Sequence, residues 1–373
     1  MIHISAAFDS GNIDVLDLHA PDGVHLAIRP DAGGEHMQWF HFRVAGARGK
    51  ALTLRIVNAD KVSYPHAWEG YRACASTDRR RWGRVETALE GKHLVIRHTP
   101  DADVVWFAYF APYSLERHQD LLAEAQQSPL ASVDRLGTTL DGRDLDRIVV
   151  GDGPRVIWAI ARQHPGESMA EWWMEGFIRR VLDPADALSR QLREKATLHI
   201  VPNMNPDGSI RGHLRCNASG ANLNREWHEP TLERSPEVFH VLAAMDASGV
   251  DLCLDVHGDE ALPYNFISGC EGVPCFDERL RSLSQRFGDA YERVNPDFQQ
   301  VHGYSIDKPG QANMTMCTNA VAQRFVCPGL TLEMPFKDNA NLPDQGHGWC
   351  PRRCRLLGRS AVDAMAQVVD DLR

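Results

Sequence analysis

Four places in this sequence set side chains capable of chemistry beside apolar runs. In His164-Pro165-Gly166-Glu167 an imidazole and a carboxylate flank a proline and a glycine, just after the apolar run 155–161. The proline and glycine force a turn that lets the two polar side chains converge, and a nitrogen with an oxygen donor suits zinc. Glu167 also stands where a carboxylate would favour the start of the next helix, so the pair alone leaves a structural role open. His257 closes a second apolar run, Leu254-Asp255-Val256-His257-Gly258. Alone it reads as a core histidine. With the first pair it completes the two-histidine, one-glutamate set that leaves zinc a position for water.

The third place is Asn203-Met204-Asn205-Pro206-Asp207-Gly208, followed by Arg215 and by Asn222-Leu223-Asn224-Arg225. Asn-Pro and Asp-Gly steps predict tight turns, so this segment should loop across the top of a sheet. Two arginines brought into a zinc pocket would serve anions, one a developing oxyanion and the other a carboxylate gripped in forked geometry. Read in isolation, both are equally well surface residues of a long loop. The fourth place is Glu333 in Leu330-Thr331-Leu332-Glu333-Met334. Period-two alternation puts it on the face of Thr331, and an acid in an apolar strand needs a partner or a task. A general base beside metal-bound water is such a task.

The elements that must position these residues change character along the chain. Up to about residue 115, short β-branched and aromatic segments at 24–28, 39–44, 52–57, 85–89, 94–98 and 104–110 predict a β-sandwich. Beyond it, strands at 155–161, 197–202, 252–256 and 330–334 alternate with helices at 114–126, 168–182, 236–245, 276–294 and from about 353 onward. That alternation predicts an α/β fold, a mixed, mostly parallel sheet with helices on both faces, in which side chains at strand ends meet in a crevice. The expected division is an antiparallel β-sandwich domain of residues 1–115 and a catalytic domain of 116–373.

Composition narrows the options. A formal net charge of −10 weighs against nucleic acid, and no run approaches the roughly 18 apolar residues of a membrane span. No early stretch has the form of an export signal, and nine scattered cysteines suit a reducing compartment, so a cytoplasmic protein is expected. Cys327, Cys350 and Cys354 lack a fourth partner for a second metal site. The basic cluster Arg79, Arg80, Arg81 and Arg84 reads either as a solvated turn or as a docking patch for an acidic partner.

Taken in order, His164-Pro165-Gly166-Glu167, Asn205-Pro206-Asp207-Gly208, Arg215, Asn224-Arg225, His257 and Glu333 resemble the metallocarboxypeptidases, in particular the cytosolic carboxypeptidase branch. Ser10-Gly11-Asn12, Gln38-Trp39-Phe40-His41-Phe42 and Pro112-Tyr113-Ser114 look like the amino-terminal segments of that branch. The resemblance implies one zinc per chain on His164, Glu167 and His257, with Glu333 as general base. It implies that Arg215 polarises the scissile carbonyl while Asn224 and Arg225 hold the carboxyl end of a peptide or protein substrate. Where glutamate-removing members carry an arginine, residues 313–317 have none, which argues against a preference for acidic terminal residues. Tyr304 is the nearest candidate for a tyrosine over the substrate. An amidohydrolase of N-acyl amino acids or small amides would need the same ligands and base, and a non-catalytic zinc scaffold would need neither base nor arginines. The sequence leaves a homo-oligomer open.

Overall fold

The computed structural model describes residues 2–373. Ten strands come first: β1 His3–Ser5, β2 Asp14–Asp17, β3 Val24–Ala27, β4 His41–Ala45, β5 Leu52–Ile56, β6 Cys74–Ser76, β7 Gly83–Arg84, β8 Glu86–Glu90, β9 His93–His98 and β10 Val104–Ala108. They form two five-stranded sheets, ordered β1-β4-β10-β6-β7 and β2-β3-β5-β9-β8. Every pairing is antiparallel except β3 with β5. Phe42, Val44 and Phe107 from one sheet share a core with Leu54, Ile56 and Ile96 from the other, so apolar alternation glues this N-terminal β domain together.

The chain then enters helix α1 Leu115–Gln127, capped by the Ser114 hydroxyl, and the hairpin β11 Ala131–Thr138 and β12 Asp144–Val150. After these follow β13 Arg155–Ala161, α2 Met169–Val181, α3 Ala187–Lys195, β14 Ala196–Val201, α4 Pro206–Arg211 and α5 Pro236–Ser248. The remainder comprises β15 Leu252–Val256, β16 Phe266–Ser268, α6 Glu278–Val294, α7 Cys317–Phe325, β17 Gly329–Glu333 and α8 Pro351–Val368. The seven strands form one sheet, ordered β11-β12-β14-β13-β15-β17-β16. Its centre, β14-β13-β15-β17, is parallel, and the edge pairings are antiparallel. The central strands are almost wholly buried, as strands covered on both faces must be, and their near-unbroken apolar runs follow from that. Among the described residues no helix is long and apolar enough to cross a membrane.

Several expectations need correcting. The hairpin β11–β12 goes unpredicted because β11 is a polar, half-exposed strand with a bulge between Arg135 and Gly137, so no apolar run announces it. The expected tight turns at Asn205–Gly208 are instead the start of α4. The Asn205 side chain accepts from the Gly208 N–H, Pro206 takes the first helical position, and Gly212 ends the helix at φ 71°. The solvated-turn reading of the basic cluster fails at Arg84. Its guanidinium donates to the carbonyls of Phe336 (2.7 Å) and Trp349 (3.1 Å), tying the β domain to the segment after β17.

Candidate active site

His164, Glu167, His257 and Glu333 all lie just beyond or at the carboxyl ends of parallel strands. β13 ends at Ala161 and β15 at Val256, so the two histidine-bearing turns leave the sheet side by side. One carboxylate unites them: Glu167 Oε1 lies 2.7 Å from His164 Nδ1, and its Oε2 lies 2.8 Å from His257 Nδ1. The Gly258 N–H donates to the same Oε2 at 3.0 Å, and a Cβ at Gly258 would come within 2.4 Å of Met169 Sδ.

The far nitrogens of both rings are taken. His257 Nε2 meets Asp255 Oδ2 at 2.9 Å, and His164 Nε2 meets Asn222 Oδ1 at 3.0 Å. Acceptor oxygens at Nε2 fix the tautomer that leaves each Nδ1 lone pair facing inward, the orientation a metal requires. The two Nδ1 atoms stand 3.2 Å apart. Two imidazole nitrogens on one tetrahedral zinc would be separated by roughly 3.3 Å, so the donor set fits the ion.

The electrostatics agree. Burial, joined by Arg215, drives His164 down to about 3. Although burial opposes it, His164 and His257 hold the Glu167 carboxyl well below its usual range. His257 is raised well above its ordinary value because Asp255 and Glu167 outweigh its burial. This is a corner that demands positive charge, which a divalent cation would supply.

A buried ionic network stands behind the metal loop. Arg162, at φ 59° and 1% exposed, donates to Pro165 O (3.0 Å), Tyr113 O (2.9 Å) and Glu171 Oε2 (2.5 Å). Glu171 in turn meets His118 Nδ1 at 2.7 Å and Asn203 Nδ2 at 3.1 Å. An unusual backbone conformation in a fully bonded residue is how a fold holds a turn in one shape. Asn205 adds a bond to Gln163 O (2.9 Å), and Asp207 anchors α4 to Thr139 and Arg143, so this motif serves the scaffold rather than the substrate.

Glu333 ends β17 with its carboxyl buried and Oε2 unpartnered. Burial raises it well above the carboxylate range. His257 opposes this, while the carboxylates of Glu167, Asp259 and Glu260 add to it. A carboxyl raised in this way keeps a proton more readily than an ordinary carboxylate does, a property suited to acid–base work.

The arginines form a second corner. Among the described residues Arg215 makes no ion pair, its guanidinium lying 6.0 Å from the Tyr64 ring. Among the described residues the Arg225 guanidinium bonds the Asn224 carbonyl alone, at 2.6 Å. Burial and then Arg215 push Arg225 below its ordinary value, so the two cations feel each other. Asn224 accepts from the Cys317 N–H at 2.8 Å, leaving its Nδ2 without a protein partner. Tyr304 donates to Asp259 Oδ2 at 2.6 Å, with its ring edge against Phe266.

Sequence reasoning passes over several contributors. Asp31, from the β domain, accepts the N–H groups of Leu214 (2.6 Å), Arg215 (2.7 Å) and Cys216 (2.8 Å), and so fixes the backbone that carries Arg215. Nothing near Asp31 in sequence hints at this. Asp255 could have been found, since it is a second acid in an apolar strand, on the face of His257. Glu260, buried beside Glu167 and raised to about 8, lies three residues past His257 in a run with no regular period.

Comparison with known proteins adds independent findings. Residues 4–110 match the family model for the cytosolic carboxypeptidase N-terminal domain, and residues 118–351 match that for zinc carboxypeptidase. An uncharacterized protein of Zymomonas mobilis is 49% identical over 373 residues, 100% of this chain and 97% of its own length. A metallo-carboxypeptidase from Pseudomonas aeruginosa, solved in complex with (2-guanidinoethylmercapto)succinic acid, is similar over 100% of both chains, at 47% identity and a TM-score of 0.96. Human cytosolic carboxypeptidase 1 is 27% identical over 324 residues, and the match spans 72% of this chain but 26% of that protein.

Proposed function

Since the chain belongs to the zinc carboxypeptidases and carries their cytosolic-type N-terminal domain, we propose that its cleft removes the last residue of peptides or proteins with a free carboxyl end. It is a metallocarboxypeptidase, a hydrolase of peptide bonds. The assignment of residues to roles, the division into domains of residues 1–115 and 116–373, the single zinc per chain and the cytoplasmic location are our reading.

One observation carries it: two guanidinia that make no ion pair among the described residues feel each other, and one of them, Arg215, also feels Glu167 of the three-donor corner that wants a cation. A substrate that ends in a carboxylate and presents a carbonyl one residue earlier satisfies both. A zinc ion on His164, Glu167 and His257 would lower the pKa of a bound water to about 7 and polarise the carbonyl. Arg225 and the free Nδ2 of Asn224 bind the terminal carboxylate, which restricts cleavage to chain ends. Arg215 donates to the oxygen that gains charge as the carbonyl is attacked. Glu333 accepts the proton of the attacking water and returns it to the departing amine.

The Pseudomonas relative's ligand combines a guanidino group with a succinic acid head, and we expect the same compound to inhibit here. With no arginine in residues 313–317, we expect no preference for an acidic terminal residue.

The test is release of the last residue from twenty peptides differing only at the C-terminus, each paired with its C-terminal amide and followed by mass spectrometry. The reading requires loss of a single residue from free acids and none from amides. Turnover of acylated amino acids with every peptide left intact would instead establish an amidohydrolase.

A further inference from the structure

A second cleft, of about 430 Å³, lies where the turn between β6 and β7 faces α1 and α2. Most of its charges are spent on one another. Glu175 pairs with Arg117 and Arg179, and Asp78 accepts the N–H groups of Arg80 (2.8 Å) and Arg81 (2.7 Å) within its own turn. Four charges remain. Arg79 and Arg80 border the cleft from the β domain, and Glu116 and Asp120, one helical turn apart on α1, border it from the other side. All four side chains are solvent-exposed, and among the described residues none makes an ion pair or a side-chain hydrogen bond, so each wall keeps its charge free for a ligand.

The interior has polar atoms to match. Ser10 Oγ donates to Asp9 O at 2.6 Å, so at its 3.0 Å contact with His41 Nδ1 it accepts, and the ring proton sits on Nδ1. His41 Nε2 is therefore a bare acceptor, and it is buried with no partner. Burial and Arg79 push His41 down to about 3, which keeps the ring neutral. The Tyr113 hydroxyl, bordering the same cleft, is likewise buried without a partner. A buried acceptor and a buried donor left unmet are costly unless something fills them. Two of the four non-glycine residues with positive φ, Ser10 (61°) and Arg79 (58°), also border this cleft, and such backbone strain concentrates where a fold positions side chains for a ligand.

We propose that this interdomain cleft binds a small dipolar molecule of the free amino acid class, its carboxylate held by Arg79 and Arg80 and its ammonium by Glu116 and Asp120. A lone anion would leave the acidic wall unpaired, and a lone cation would leave the arginines unpaired. A ligand carrying both charges pairs with both walls. The volume admits a molecule of that size, and the inference is independent of the reaction in the metal cleft.

Equilibrium dialysis of zinc-loaded protein with radiolabelled L-leucine tests it. The metal cleft can also hold an amino acid, so the readout is the difference in stoichiometry between wild type and variants in which that cleft is untouched. Wild type should bind one leucine more than Arg79→Ala/Arg80→Ala and one more than Glu116→Gln/Asp120→Asn. Acetate or methylamine at tenfold excess should leave the additional leucine in place. The second variant acts from α1 and leaves the strained turn intact, so loss there counts even if the first variant is destabilised. Equal stoichiometry in wild type and both variants would overturn the proposal. So would displacement of leucine by acetate alone with the acidic-wall variant unaffected, which describes a simple anion site.

Discussion

At the metal corner every donor and every orienting partner comes from the α/β sheet and its loops, whereas at the arginine corner the carboxylate that fixes the backbone belongs to the β domain. His164 and His257 are aimed by Asn222 and Asp255, and the loop between His164 and Glu167 is held from behind by Arg162. Arg215 depends on Asp31, which lies 184 residues earlier in the chain. The difference teaches that the β domain reaches the metal corner only through the scaffold behind it, Tyr113 O on Arg162, while it fixes the backbone of Arg215 directly. Loss of one corner should therefore leave the other intact.

The largest effect expected falls on chemistry rather than on either corner. Glu333→Gln should lower kcat by about 10³-fold, the scale of a lost acid–base group, while zinc content stays the same. Near-normal turnover would remove Glu333 from its role. Next, Asp255→Asn should weaken zinc by roughly 10–100-fold in a chelator competition, because the His257 ring loses its orienting carboxylate charge. At saturating zinc its KM should stay close to wild type. A raised KM with unchanged metal affinity would show that the corners are not separable.

The network behind the metal loop supplies a pH test. His118 is raised to about 9 because Asp146 and Glu171 outweigh its burial. A histidine whose folded pKa exceeds its unfolded value of about 6.5 adds stability below pH 6.5 and loses it as pH rises through 9. Urea melts at pH 6 and pH 9.5 should differ by on the order of 2–3 kcal/mol more in wild type than in His118→Gln. Equal pH dependence in the two proteins would remove the charge from His118.

The smallest effect belongs to the arginine corner. Asp31→Asn should cost about tenfold in kcat/KM, one orienting charge-assisted hydrogen bond's worth, with zinc affinity unchanged. Loss of zinc in that variant would mean that the β domain builds the metal corner as well.

What was legible in the sequence follows the same division. The central strands and the three metal-corner residues could be read because a buried parallel strand is a plain apolar run and its exit turn announces the polar side chain. The polar edge strand β11 has no such run, and the Asn205–Asp207 motif disguises a capped helix as a turn. Asp31, Tyr64 and Arg84 act across the domain interface, on partners that no local pattern specifies.

The central claim is that three side chains share one ion. Zinc content per chain, measured by plasma mass spectrometry after dialysis of wild type, Glu333→Gln and His257→Ala, tests it most directly. The expected result is one zinc in each of the first two proteins and none in the third; stoichiometric zinc in folded His257→Ala would contradict the account.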